Sequence, residues 1–260
     1  MLRVPLFLFY YLLCPCINFA PQMGRIFEKR KHKMFARFDR MAKQFTRIGK
    51  EIAIAVRQGG VNPDYNPRLR MAMQNAKSVN MPKDRVEAAI KRASDKDTAG
   101  YEEIKYEGYG PHGVAILVES ATDNNTRTVA NVRSHFNKCD GAMGKTGSLD
   151  FVFTRKGVFK IAKSALKGKD LDEFELEIID FGCEDLAIDE EDVYVYTSFT
   201  DFGNMQKGLE ELGIEAASAE LQYLPNSYVD LEEAQANEVL ELIERLESDD
   251  DVQNVYHNLR

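Results

Sequence analysis

Residues 157–224 read GVFKIAKSALKGKDLDEFELEIIDFGCEDLAIDEEDVYVYTSFTDFGNMQKGLEELGIEAASAELQYL, and along this run the hydrophobic period alternates between that of a strand and that of a helix. Val158–Ala162 has the two-residue period of a strand, and Leu171–Phe181 has helical spacing. Glu184–Ile188 and Val193–Thr197 read as two further strands, Phe202–Leu212 as a helix and Ala216–Leu224 as a last strand. The order βαββαβ is the split ferredoxin-like arrangement. Pro225-Asn226 closes the unit.

The flanks read as parts of a second α/β unit. Before the run, Glu103–Glu107 and Val114–Val118 predict a hairpin around Gly108–Gly113. Asp123–Thr128 then opens a helix carrying Val129, Val132 and Phe136, and Leu149–Phe153 predicts a third strand. After the run come a helix with Val239, Leu242, Ile243 and Leu246 on one face and a strand at Val252–Tyr256. A lone terminal helix and strand need a sheet to join, and the earlier unit supplies one. The expected division is a leader at 1–22, a basic helical domain at 23–98, a discontinuous α/β domain at 99–156 and 225–260, and an inserted βαββαβ domain at 157–224. The expected class is α+β, with a helical domain before two ferredoxin-like domains.

Charge is segregated along the chain. Residues 23–98 hold 19 Lys and Arg against 8 Asp and Glu, a net of +11, whereas residues 99–260 carry −20. Such asymmetry points to a polyanionic partner, usually nucleic acid. Met34, Phe38, Met41, Phe45, Ile48 and Ile52 recur at steps of three and four, the spacing of one helix face. Lys33, Arg37, Arg40 and Arg47 each precede an apolar residue of that face, with Arg30 leading in, so a cationic stripe is expected beside the apolar one. Lys29, Lys43 and Lys50 are expected on the far side, and Gly49 is a weak point in the helix. Gly59-Gly60 ends it, Asn66 caps the next helix with Pro67 at its first position, and Asn80-Met81-Pro82 restarts the pattern. Arg68, Arg70, Lys77, Lys83 and Arg85 extend the candidate nucleic-acid contacts onto these two helices, with Lys91 and Arg92 beside them.

Two phosphate-loop look-alikes fail on context. Gly108–Gly113 is literally G-x-G-x-x-G, yet a strand follows where a dinucleotide fingerprint needs a helix. Gly144-Lys145-Thr146 lacks the earlier glycine, since Cys139 stands there. His32, His112, His135 and His257 are dispersed, and no pairing at metal-ligand spacing is visible. Asp249–Asp251 reads as a solvated turn, because the spaced oxygen ligands of a calcium loop are absent. The expectation is no catalytic residue, no metal, no cofactor and no small-molecule substrate. Cys14, Cys16, Cys139 and Cys183 are too few and scattered for a disulfide framework. The leader has two readings: Arg3 with Val4–Leu13 resembles a signal-peptide core, while Met23-Gly24 offers a second start just before the basic helix.

Seven separated motifs occur together: Phe45–Ile48, Asn66–Arg70, Asn80–Pro82, Tyr106–Pro111, Asp123-Asn124 with Arg127–Val129, Gly144 with Gly147-Ser148, and Asp251–Asn258. In this the chain resembles the YebC/PmpR family, whose mitochondrial relatives are translational activators of cytochrome oxidase. The resemblance covers about 23–258 and implies three domains, the last inserted in the middle one, and no enzymatic activity. Family members are described as probable transcriptional regulators that bind DNA, and others act with ribosomes. A nucleic-acid role at Arg47, Arg68 and Arg70 is implied by the match there. Arg25–Lys33 departs from the Gly-His-Ser-Lys-Trp opening common in the family, so contacts of that opening do not transfer.

The expected function is therefore a cytoplasmic regulator of gene expression that binds DNA, or RNA and the ribosome, and no membrane. A chain beginning at Met23 is expected to fold, stay soluble and bind nucleic acid like the full chain. Finding the native protein exported and cleaved after the leader would overturn the cytoplasmic expectation.

Overall fold

The computed structural model describes residues 25–95, 100–166 and 168–260, with side chains from residue 40 onward; the leader at 1–22 lies outside the described residues. Three helices come first: α1 (Arg25–Gly59), α2 (Pro67–Ser78) and α3 (Lys83–Ser94). Gly49 does not interrupt α1. Gly60 takes a left-handed φ of 85° and its N–H donates to Val56 O at 2.8 Å, the stop expected of glycine. Asn66 does more than cap α2. Its Oδ1 accepts from Leu69 N–H, and its buried amide donates to Ala55 O at 2.7 Å and Gly60 O at 2.9 Å, so one side chain sets the angle between two helices. Ile48, Ile52, Ala55 and Val56 of α1 then pack on Leu69, Ala72, Ala76, Val86 and Ala89.

The first sheet contains β1 (Glu102–Tyr109), β2 (Ala115–Thr122), β3 (Ala142–Met143) and β8 (Val252–His257), in the order β3-β1-β2-β8, antiparallel throughout. Helices α4 (Asn125–Lys138) and α7 (Glu233–Ser248) supply its core through Val132, Phe136, Val239 and Leu242. The second sheet contains β4 (Phe153–Ala162), β5 (Cys183–Ile188), β6 (Asp192–Ser198) and β7 (Ser218–Pro225), ordered β5-β6-β4-β7. Helices α5 (Leu171–Ile179) and α6 (Phe202–Glu211) complete the βαββαβ unit. Phe159 stacks on Phe202 in its core, with ring centroids 4.7 Å apart.

Three expectations are corrected. Of the expected strand Leu149–Phe153, Leu149–Val152 is a turn and Phe153 is the first residue of β4; the third strand is Ala142–Met143, paired with Gly108 and Tyr109. Leu149, Val152 and Phe153 are spaced i, i+3, i+4, and all three are buried with Ala115, Leu117 and Tyr223. Single-turn spacing buries one side of a turn, whereas a strand would require alternation. Second, Asp251 is no solvated turn residue but a buried one. Third, Lys50 does not face solvent; it is 8% exposed.

These last two corrections are one interaction. Lys50 Nζ donates to Asp251 Oδ1 at 3.1 Å, Ala121 O at 2.9 Å and Asp250 O at 2.7 Å, which uses all three ammonium protons. The other carboxylate oxygen accepts from Arg127 Nη2 at 2.8 Å, Arg127 Nε at 3.2 Å and Thr128 Oγ1 at 2.9 Å. Burial alone would raise the Asp251 pKa, but the donors Arg127, Thr128 and Lys50 together hold it below the usual carboxylate range. Its stabilising contribution is present above the unfolded-state pKa and is lost as pH falls through the depressed folded value. Removing one partner of a buried pair leaves the other charge uncompensated. Lys50→Met is expected to lower stability by about 3–5 kcal/mol in urea unfolding, with little relief at high salt. A loss under about 1 kcal/mol would mean the pair behaves like an exposed one.

Candidate nucleic-acid interface

Arg30, Lys33 and Arg37 lie on the described backbone of α1, but their side chains lie outside the described residues. Arg40 is exposed. Arg47 is half-buried and its Nη2 donates to Glu247 O at 3.2 Å, near the C-terminus of α7, where the helix dipole favours a cation. Arg68 bonds Gln58 Oε1 at 2.7 Å and pairs with Glu103 of β1. Arg70 donates to Asp64 O at 3.2 Å and reaches Glu210 of α6 at 3.5 Å. These three arginines bind neighbouring segments. Lys77 is exposed beside Arg70 at the rim of a cleft of about 430 Å³ between α2 and the second sheet. Lys83 is exposed and pairs with Glu87 at 3.6 Å.

Arg85 belongs to a different arrangement. Its guanidinium lies over the Phe45 ring at 5.8 Å, at one side of a groove of about 520 Å³ between α1 and α3. Phe45, Gly49, Ala53 and Arg57 line it from α1 at steps of four. Arg85, Ala88, Ala89 and Arg92 line it from α3, and Tyr101 stands beside them. Lys50 Nζ sits 5.3 Å from the Tyr101 ring centre. Arg57, Arg92 and Tyr101 were not among the residues expected from sequence to touch nucleic acid. The signal was present as the i+4 ladder on α1 and the i+7 pair Arg85 and Arg92 on α3.

The two look-alike loops carry internal contacts instead of a nucleotide. Gly108 lies so close to Phe136 and Ala142 O that a Cβ would collide with both, which accounts for that glycine by packing. The 144–149 loop does hold an anion, and it is the chain's own: the buried Glu107 carboxylate accepts from Gly147 N at 2.9 Å and Leu149 N at 2.7 Å. Among the described residues no group of three His, Cys, Asp or Glu is placed to hold a metal ion, and no helix is long and apolar enough to cross a membrane. Burial pushes the Cys139 and Cys183 thiols up, which disfavours their nucleophilic form.

Two family models match the chain. The TACO1/YebC protein N-terminal domain covers residues 25–96, and the TACO1/YebC second and third domain covers 101–259. The chain belongs to the TACO1/YebC family. A protein of Cytophaga hutchinsonii is 57% identical over 91% of this chain and 98% of its own length, and one of Flavobacterium johnsoniae 55% identical over 92% and 99%. Both are named probable transcriptional regulatory proteins. The crystal structure of a conserved hypothetical protein from Aquifex aeolicus superposes with a TM-score of 0.74 at 37% identity, covering 84% of this chain and 90% of that one.

Several of the motifs by which the chain resembles this TACO1/YebC family prove to be scaffold. Asn66 fixes two helices, Asp251 bonds both Arg127 and Lys50, and Asn258 Oδ1 accepts from Ala115 N–H at 2.9 Å at the start of β2.

One acid opposes this scaffold. Glu51 of α1 faces Glu220 of β7, Glu103 of β1 and Glu119 of β2, with Arg68 of α2 as its nearby countercharge. Burial, followed by the charge of Glu220, raises its pKa to about 7. A raised acid binds its proton more tightly folded than unfolded, so stability falls as pH rises from the ordinary glutamate value of 4.5 toward 7. Glu51→Gln is therefore expected to raise the melting temperature at about pH 8 and leave it nearly unchanged at about pH 4, where the parent carboxyl is protonated in both states. An equal shift at both pH values would assign the effect to packing.

Proposed function

We propose that the chain is a non-enzymatic, nucleic-acid-binding regulator of gene expression that works in the cytoplasm. Its domains are the basic helical one at 23–98, the discontinuous one at 99–156 with 225–260, and the inserted one at 157–224. The observation that carries this reading is charge partition: +11 on residues 23–98 against −20 on the rest. Lysines and arginines neutralising phosphates release counterions and draw the basic segment to a polyanion, while the acidic body limits how the partner can approach. The names of the relatives support the regulatory part and favour DNA as the partner. Of the candidate contacts, Arg40, Lys77, Lys83 and Arg85 are exposed on the helical segment, whereas Arg47, Arg68 and Arg70 act first as ties.

A second reading, a translation factor bound to RNA or the ribosome, is favoured by the −20 body, which would repel a long duplex. Cross-linking the protein in cells and sequencing what it holds separates the two, alongside transcript and protein levels after its deletion. A transcriptional regulator is expected to change transcripts; a translation factor is expected to change protein output at constant transcript. Recovery of no nucleic acid above a mock control would overturn both.

A further inference from the structure

We propose that the groove between α1 and α3 binds an unpaired nucleotide of single-stranded nucleic acid, its base inserted into the groove and the adjoining phosphates met by Arg57, Arg85 and Arg92. This rests on the nucleic-acid reading above and adds the form of the ligand and the place it binds.

The shape comes first. A duplex is read by protein elements that enter its grooves. Here the concavity is on the protein, so the ligand must insert something, and only a base outside a helical stack can do so. The volume, about 520 Å³, lies in the range of clefts that enclose small ligands. The floor permits depth: Gly49, Ala53 and Ala89 carry nothing longer than a methyl group.

The chemistry agrees with the shape. Bases stack on aromatic rings and on guanidinium planes, whatever their identity. The groove offers both: the Arg85 guanidinium over Phe45, and the Tyr101 ring with Lys50 at 5.3 Å. Charge complementarity favours an anion, since among the described residues three arginines and one carboxylate, Asp84, line the groove.

The test uses the full chain and fluorescence anisotropy with labelled oligonucleotides of about 12 nucleotides, as single-stranded RNA, single-stranded DNA and duplex DNA of one sequence. Ala88→Leu fills the groove from an exposed position without changing charge, and Arg85→Gln with Arg92→Gln removes two of its cations. Lys83→Gln with Lys91→Gln removes equal charge from exposed positions of α3 outside the groove. The parent is expected to bind single strands at least about tenfold more tightly than duplex. The groove arginine pair is expected to lower the slope of log affinity against log salt by about 1.4, and the lysine pair by much less. Ala88→Leu is expected to weaken single-strand binding about fivefold at unchanged melting temperature, and duplex binding hardly at all. Strand binding by RNA but not DNA would assign the site to RNA, and the reverse to DNA; either supports the groove. A free nucleoside monophosphate that displaces the strand at equal concentration would overturn the strand as ligand. Equal or tighter duplex binding, equal losses in the two double variants, or no effect of Ala88→Leu would overturn the groove while leaving the regulator reading intact. A parent chain that binds none of the three probes would remove both.

Discussion

A lysine ammonium buried against an aspartate holds this molecule in register. Lys50 reaches from α1 to the start of β8 and to the end of β2, and its three protons find Asp251 and two carbonyls there. Taking both charges out of water is costly, and the cost is offset only when every lone pair and proton has a partner. Arg127, Thr128 and Thr122 provide that completion on the far oxygen of Asp251. The consequence is geometric: α1 can dock on the first sheet in one rotational setting, because a turn of one residue would strand the charge.

That setting divides the surface of α1. Ile48, Ile52 and Val56 go to the helical core, while Lys50 and Arg47 go to the first sheet and α7. The ladder from Phe45 through Gly49 and Ala53 to Arg57 is left along the groove with α3. A side chain that sequence spacing places in a continuous cationic stripe thereby gains an internal partner. Arg47 becomes a tie to a helix terminus, while Lys83, Arg85 and Lys91 of α3 are exposed. The ties made by Arg68 to Glu103 and Arg70 to Glu210 follow the same logic, joining the basic segment to the acidic body. Opposite charge here serves cohesion within the chain.

Asparagine does comparable work where charge is absent. Asn75 of α2 donates to Ala219 O at 3.2 Å and accepts from Ala219 N at 3.3 Å, so its amide completes a strand edge of the second sheet. Asn66 and Asn75 are buried amides whose two-sided bonding fixes distances between elements, and the buried Asn258 accepts from Ala115 N–H. Stability near neutral pH is then a balance between this satisfied network and the crowded carboxylates around Glu51.

Most elements can be read from the chain alone, because hydrophobic period and capping chemistry are local. The βαββαβ order of 157–224, the Asn66 cap and the Gly60 stop were all legible, and so was the partition of charge. Family motifs could be read as well, though not their task, which for Asp251 and Asn258 is structural. The long-range partner that each polar side chain meets is set by folding. Lys50 and Lys43 are alike as residues on one helix, yet one is buried and the other exposed, and only a carboxylate 201 positions away distinguishes them. The turn at Leu149–Val152 reads as a strand for a related reason: a short apolar run fits strand or turn until the surface that buries it is known. Burial and ion pairing are properties of pairs of residues far apart in the chain, and local patterning carries no record of the second member.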